Sequence, residues 1–197
     1  VYDNDIVKRT DLTVETASGV KKLKLYTRSG EVSSVSVDMG MVDFSAASLP
    51  AVTDQEQLVD YPAEIGGKDY RITCLSVGNP HCVVFCDRVD GVDVETVGPQ
   101  FENAPMFPQR INTEFIRVVN KNMIKMRVFE RGNGETLACG TGACAAVAAA
   151  VKNGFCVRGE DVVVKLRGGD LTVNYGKDGN VTLTGNAKLV FEGVVKY

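Results

Sequence analysis

The chain has 197 residues, 44% hydrophobic and 24% charged, with a net charge of -3. That composition suits an ordinary globular protein and leaves no basic footprint for nucleic acid. No apolar run approaches the roughly 20 residues a membrane-spanning helix needs. No basic, hydrophobic leader opens the sequence, so a cytoplasmic location is the default expectation.

Strand patterns dominate. Residues 12–16, 22–26 and 32–37 alternate apolar and polar side chains, with Ser18-Gly19 and Ser29-Gly30 as turns, and read as an antiparallel meander. Polar sequence with Pro50, Pro62 and Gly66-Gly67 follows and reads as a linker. Strands are expected again at 70–77 and 81–86. A proline-spotted loop then leads to strands at 112–119 and 123–130. A short polar helix is expected at 94–101. The tail reads as four strands, 161–166, 171–175, 181–184 and 187–191, separated by glycine turns.

One helix stands apart. Residues 142–152 are mostly alanine, carry almost no charge, and end at Lys152-Asn153-Gly154, which matches a helix C-terminus. A helix that is apolar all round is buried all round. Many short strands with one such helix predict an α+β architecture, a barrel or curled sheet of mostly antiparallel strands wrapped on a central buried helix.

The six cysteines include no C-x-x-C pair and there is a single histidine, so neither a zinc site nor a disulfide framework is expected. Most of the six read as small buried hydrophobes.

Cys139 differs in its setting. A strand ends at Glu130, a glycine-rich turn follows, and Cys139 falls at the mouth of the alanine helix. The amides of Gly140, Thr141 and Gly142 and the helix dipole would make an anion site there. The same field favours thiolate over thiol, which predicts a lowered pKa and makes Cys139 the most readily alkylated of the six. A carboxylate on those amides would set its α-carbon beside the sulfur, a geometry for proton removal. Spacing alone leaves two other readings open. Cys139 could be buried filler at a glycine turn, or the turn could hold a nucleotide, although its G-x-G-x-x-G spacing is imperfect and no P-loop lysine follows.

Two further junctions carry polar side chains. Gly78-Asn79-Pro80-His81 delivers the only histidine onto the start of a strand, where Asn79 offers amide hydrogen bonds and His81 can pair with a thiol or shuttle a proton. Asn112 opens the next strand in Asn-Thr-Glu. Structural roles for both remain open at this level.

Together these stretches resemble the diaminopimelate epimerase family. Its E-R-G-x-G-E-T-x-A-C-G-T-G-A-C pattern runs from Glu130 to Cys144, its G-N-P-H is 78–81, and its N-T-E is 112–114. Its closing elements are 168–171 and 184–193. The resemblance implies epimerisation of LL- to meso-diaminopimelate by a thiolate and a thiol on opposite faces of the α-carbon, with no cofactor and no metal. It makes Cys139 one of that pair, with Glu130 and His81 assisting. It places Asn79, Asn112, Glu130 and Arg131 on the distal amino-acid end of the substrate, and the Gly140 and Thr141 amides on the reacting carboxylate. Arg131 suits a carboxylate because its fork can grip both oxygens.

The family's other cysteine lies in a C-G-N-G-x-R motif that this sequence does not contain. With Val1 in place of a methionine, this predicts a piece of a longer polypeptide. On that reading residues 1–39 end a first domain, 40–184 form the epimerase domain, and 185–197 return to the first. The isolated chain is then expected to be inactive or nearly so. The resemblance also allows a homodimer, with a small amino acid as the only other partner. A proline-type racemase and a non-catalytic anion-binding barrel are the alternatives.

Overall fold

The computed structural model describes residues 1–196. It divides into two compact units, one comprising Val1–Val37 and the chain from Thr184 onward, the other Asp38–Leu183.

The first unit is the expected meander. Strand β1 (Asp11–Thr16) pairs antiparallel with β2 (Gly19–Arg28), which pairs with β3 (Glu31–Met41), whose last residues belong to the second unit. The β2–β3 turn needs a left-handed backbone at Ser29 (φ 54°) and Gly30 (φ 88°), which glycine adopts without steric cost. Within this unit the Ser36 and Thr184 hydroxyls share a 2.6 Å hydrogen bond. The strand expected at 187–191 is absent: residues 186–196 have no regular structure, and Leu189, Val190 and Phe191 are exposed. Alternation predicts a strand only where a partner strand takes up its N–H and C=O groups, and here none does.

The second unit holds the helix and most of the sheet. Its strands are β4 (Tyr61–Ile65), β5 (Lys68–Ser76), β6 (Pro80–Phe85), β7 (Asn112–Asn120), β8 (Met123–Glu130), β9 (Gly134–Thr136), β10 (Asp161–Leu166), β11 (Gly169–Tyr175) and β12 (Asn180–Gly185), whose last two residues belong to the first unit. They run in the order β12-β11-β10-β8-β7-β6-β5-β4, with β9 on β8. The pairs β6–β7 and β8–β10 are parallel and the other registered pairs antiparallel. Two of these strands lie outside the expected set. Pro62 and Gly66-Gly67 made β4 look like a linker, yet they sit in an edge strand and its turn, where proline and glycine are tolerated. The three-residue β9 hides inside the glycine-rich turn.

Period-two alternation gives the sheet two apolar faces. Leu75, Val83, Ile116, Ile124, Met126, Val128, Val162, Val164, Val173 and Val181 face helix α2 (Gly140–Lys152). Every residue of α2 from Ala143 to Ala150 is fully buried, as an alanine helix without charge requires. Asn153 closes it by donating to Ala149 O and to Thr73 Oγ1. The opposite face packs Ile72, Val84, Phe115 and Phe129 with helix α1 (Val94–Glu102). Asp93 caps α1 by accepting the Thr96 N–H, a favourable start for a helix. No helix among the described residues is long and apolar enough to cross a membrane.

Candidate active site

The two parallel strands β6 and β7 start side by side, with His81 opposite Asn112. Inner-face side chains at this end therefore meet the beginning of α2. Cys139 is the N-cap residue of that helix, with extended backbone (φ -137°, ψ 116°), and its sulfur accepts the Gly142 N–H at 3.3 Å. Gly142 has to be small. A Cβ there would lie 2.7 Å from Glu114 Oε1 and 3.2 Å from the Cys139 sulfur. The Gly140 and Thr141 N–H groups have no hydrogen-bond acceptor among the described residues, so two helix-start amides are free for an anion.

A chain of side chains runs from the buried sheet to that sulfur. Glu114 Oε1 lies 2.7 Å from His81 Nδ1, and both side chains are fully buried. His81 Nε2 lies 3.0 Å from Asn79 Oδ1, and Asn79 Nδ2 donates to Thr141 Oγ1 at 3.2 Å. The Thr141 hydroxyl is 3.6 Å from the Cys139 sulfur. Sequence reasoning named His81, Asn79, Thr141 and Cys139, and the structure brings all four together. It missed Glu114. The available signal was a carboxylate in the Asn112-Thr-Glu element, directly before the apolar Phe115-Ile116.

The thiol's acidity corrects the expectation. Burial pushes Cys139 up to about 11, Glu114's negative charge adds to this, and the hydrogen bonds from Thr141 and Gly142 offset only part of it, with Glu130 pushing up again. Only 9% of the residue is exposed. Desolvation of the thiolate here outweighs the helix-start amides, so Cys139 rests as a thiol. Cys86, more exposed than Cys139, is also pushed up to about 11 by burial. The predicted preference for alkylation at Cys139 therefore loses its basis in acidity.

The remaining expected residues, Glu130, Asn112 and Arg131, lie around the glycine-rich turn. Glu130 ends β8, and its carboxylate accepts from the Thr136 hydroxyl. Asn112 accepts the Arg131 N–H at 3.0 Å and donates to Pro80 O at 2.8 Å. Its amide thus ties the Gly-Asn-Pro turn to the glycine-rich turn. The exposed Arg131 guanidinium donates to Gln109 O and lines, with Ser48, Gly78, Asn79 and Pro80, a cleft of about 360 Å³. Arg131 and Asn79 so face one space.

Comparison with known proteins decides the lineage. The diaminopimelate epimerase family profile matches residues 73–190, which contain every residue of this constellation. The diaminopimelate epimerase of Desulfovibrio desulfuricans is 44% identical over 98% of this chain, and that of Geobacillus kaustophilus is 45% identical over 100%. The chain belongs to the diaminopimelate epimerase family. It spans 69% and 68% of the length of those two isomerases. The diaminopimelate epimerase of Methanococcus maripaludis is 42% identical over 99% of the chain.

Solved structures support the fold. A probable proline racemase from Agrobacterium radiobacter K84 superposes with a TM-score of 0.67 at 14% identity, over 97% of this chain and 64% of that one. A hydroxyproline epimerase from Agrobacterium vitis gives 0.66 at 16% identity, over 93% and 58%. At those identities the likeness is one of architecture, an α+β sheet around a central helix. The diaminopimelate epimerase family membership rests on the sequence relatives.

Proposed function

We propose that this chain supplies one thiol face of an enzyme that epimerises LL-diaminopimelate to the meso form. The observation that carries the reading is Cys139 itself, a buried thiol at the start of α2 beside the two unpaired amides of Gly140 and Thr141. A substrate carboxylate on those amides places its α-carbon against the sulfur. The carboxylate is also where negative charge develops when the α-proton leaves, so fixed N–H donors there stabilise the transition state more than the ground state.

Protonated at rest, Cys139 enters the cycle as the proton donor. A thiolate on the far face takes the α-proton, breaking C–H and leaving the electron pair on carbon and the carboxylate. Cys139 then delivers its proton to the near face and becomes the thiolate. Chirality inverts and no electron is gained or lost. The next turnover runs in reverse, or the two sulfurs exchange protons with solvent. Arg131, Asn79, Asn112 and Glu130 hold the distal amino-acid end, and Arg131 selects a second carboxylate over an apolar ring.

No other cysteine of this chain fits the far face. Cys74 and Cys82 lie in the core against α1, Cys144 is enclosed one turn into α2, and Cys86 and Cys156 flank no unpaired helix-start amides. On this two-thiol reading, none of the other five cysteines partners Cys139, and these residues hold one half of the site. The six free thiols fit a reducing compartment such as the cytosol.

The test is α-proton exchange of diaminopimelate in heavy water, followed by NMR, with an enzyme containing this chain. Exchange that disappears in Cys139→Ser supports the assignment, and exchange that survives it removes Cys139 from the mechanism. Exchange with proline but not with diaminopimelate would overturn the substrate. Inversion by the 197-residue chain alone would overturn the half-site.

A further inference from the structure

Glu114 is the least explained group near the thiol. It is fully buried, lies on the inner face of β7, and its second oxygen, Oε2, has no hydrogen-bond partner among the described residues. An isolated carboxylate in such a place is costly unless its charge is met. What meets it is decided by the ring opposite.

His81 has one hydrogen-bonding contact at each ring nitrogen. The Asn79 amide is oriented with its carbonyl oxygen toward Nε2 and its nitrogen toward Thr141. A carbonyl oxygen can only accept, so Nε2 bears a proton. Nδ1 faces Glu114 Oε1 at 2.7 Å. Two acceptors at that distance would repel, so a second proton lies between Oε1 and Nδ1, wherever along the bond it is held. A carboxylate with a neutral ring would carry one proton and one negative charge. With the Asn79 amide so oriented, the contacts hold two protons and a net charge of zero.

We infer that Glu114 is a positioning residue of the site, and that it and His81 form a buried, net-neutral pair holding two protons, so that Cys139 can ionise without facing a bare carboxylate. Other titratable groups reach this end of α2. Glu130 comes from β8, and Cys144 lies one turn inside the helix. Cys82 on the opposite face of β6 also feels Glu114. Of these, Glu114 bears most strongly on Cys139, and its charge works against the thiolate. The shared proton cancels that charge. The polarity of the chain follows too: Nε2 donates to Asn79, Asn79 to Thr141, and the Thr141 hydroxyl is free to donate to the sulfur.

The purpose of the pair rests on the reading of Cys139 as a catalytic thiol, but its proton count does not, and the two can fail separately. His81 is the only histidine in the sequence, so ring-nitrogen NMR of the ¹⁵N-histidine-labelled chain reports this pair alone. The wild type at neutral pH is expected to show no bare ring nitrogen, and Glu114→Gln to show one, because the neutral amide supplies charge balance without the second proton. A bare nitrogen in the wild type would overturn the inference. The link to the thiol is read from the iodoacetamide alkylation rate of Cys139 by peptide mapping, whatever the enzyme's activity. His81→Gln leaves Glu114 uncompensated, and a one-unit rise in the thiol's midpoint would slow the reaction about tenfold. The double variant His81→Gln/Glu114→Gln restores neutrality and is expected to recover to within about threefold of the wild type. A structural role alone would leave the double variant no faster than His81→Gln, and that result would overturn the link.

Discussion

At Cys139 two opposing effects act on one atom, and their sizes decide its resting state. Helix-start amides lower a thiol's pKa, and that effect is legible in the sequence from a cysteine followed by Gly-Thr-Gly. Desolvation depends on what encloses the sulfur, and it outweighs the amides because β7 brings Glu114 and the sheet floor against it. Alkylation of Cys139 is therefore expected to be slow at neutral pH and to accelerate about tenfold per pH unit toward a midpoint above the ordinary 9.0, reaching about 11 only where Glu114 keeps its negative charge. A plateau below pH 8, measured by rate against pH with peptide mapping, would show that the amides win. The sign for stability follows from the same shift. A thiol held above its ordinary value of 9.0 in the folded state stabilises the fold below that value, and the contribution is lost as pH rises toward the folded value. Cys144, pushed up to about 12 by burial, acts in the same direction. Denaturant midpoints should fall between about pH 9 and 11, and fall less in Cys144→Ala once its lower baseline stability is allowed for.

Among the elements, the glycine-rich turn depends on an ion pair on the opposite face of β8. Arg127 donates to Glu135 of β9 at 2.7 and 2.9 Å and to the carbonyl of Val92, and Arg167 approaches the same carboxylate at 3.1 Å. Glu135's side chain is only 5% exposed. This cluster holds β9, and with it the glycine-rich turn that leads to Cys139. Arg127→Met should cost about 3–5 kcal/mol, because it leaves a buried carboxylate with one partial partner. Its acid profile should change as well. Arg127 holds the Glu135 carboxyl below its ordinary value, so the stabilisation is present above about 4.5 and is lost as pH falls through the lowered folded value. Urea midpoints of the wild type should drop in that acid window, and the Arg127→Met drop should be shallower. An equally steep drop would place the acid sensitivity elsewhere. Strands such as Met123–Glu130 were legible because their alternation is clean. β4 and β9 were not, because proline and glycine at an edge look the same in sequence as a loop.

At the scale of the whole molecule, the alanine helix was the surest prediction, and the larger unit, Asp38–Leu183, is organised around it. The helix's direction and the strands enclosing it were not legible, because the parallel pairs β6–β7 and β8–β10 join segments about 30 and 40 residues apart. For the same reason Glu114 could not be connected to His81 from the sequence. The enclosure makes a specific demand. Ala146, Ala148 and Ala149 point in different directions around the helix axis, yet each is fully buried. A helix with one open face would accept a larger side chain on that face. Here leucine at any of the three forces the sheet outward, at about 1–3 kcal/mol or more per site. Urea unfolding of Ala146→Leu, Ala148→Leu and Ala149→Leu should show a loss at all three. A neutral result at one of them would mean that the sheet does not close around α2 on that side, and that the thiol end of the helix is held by fewer strands than the enclosure requires.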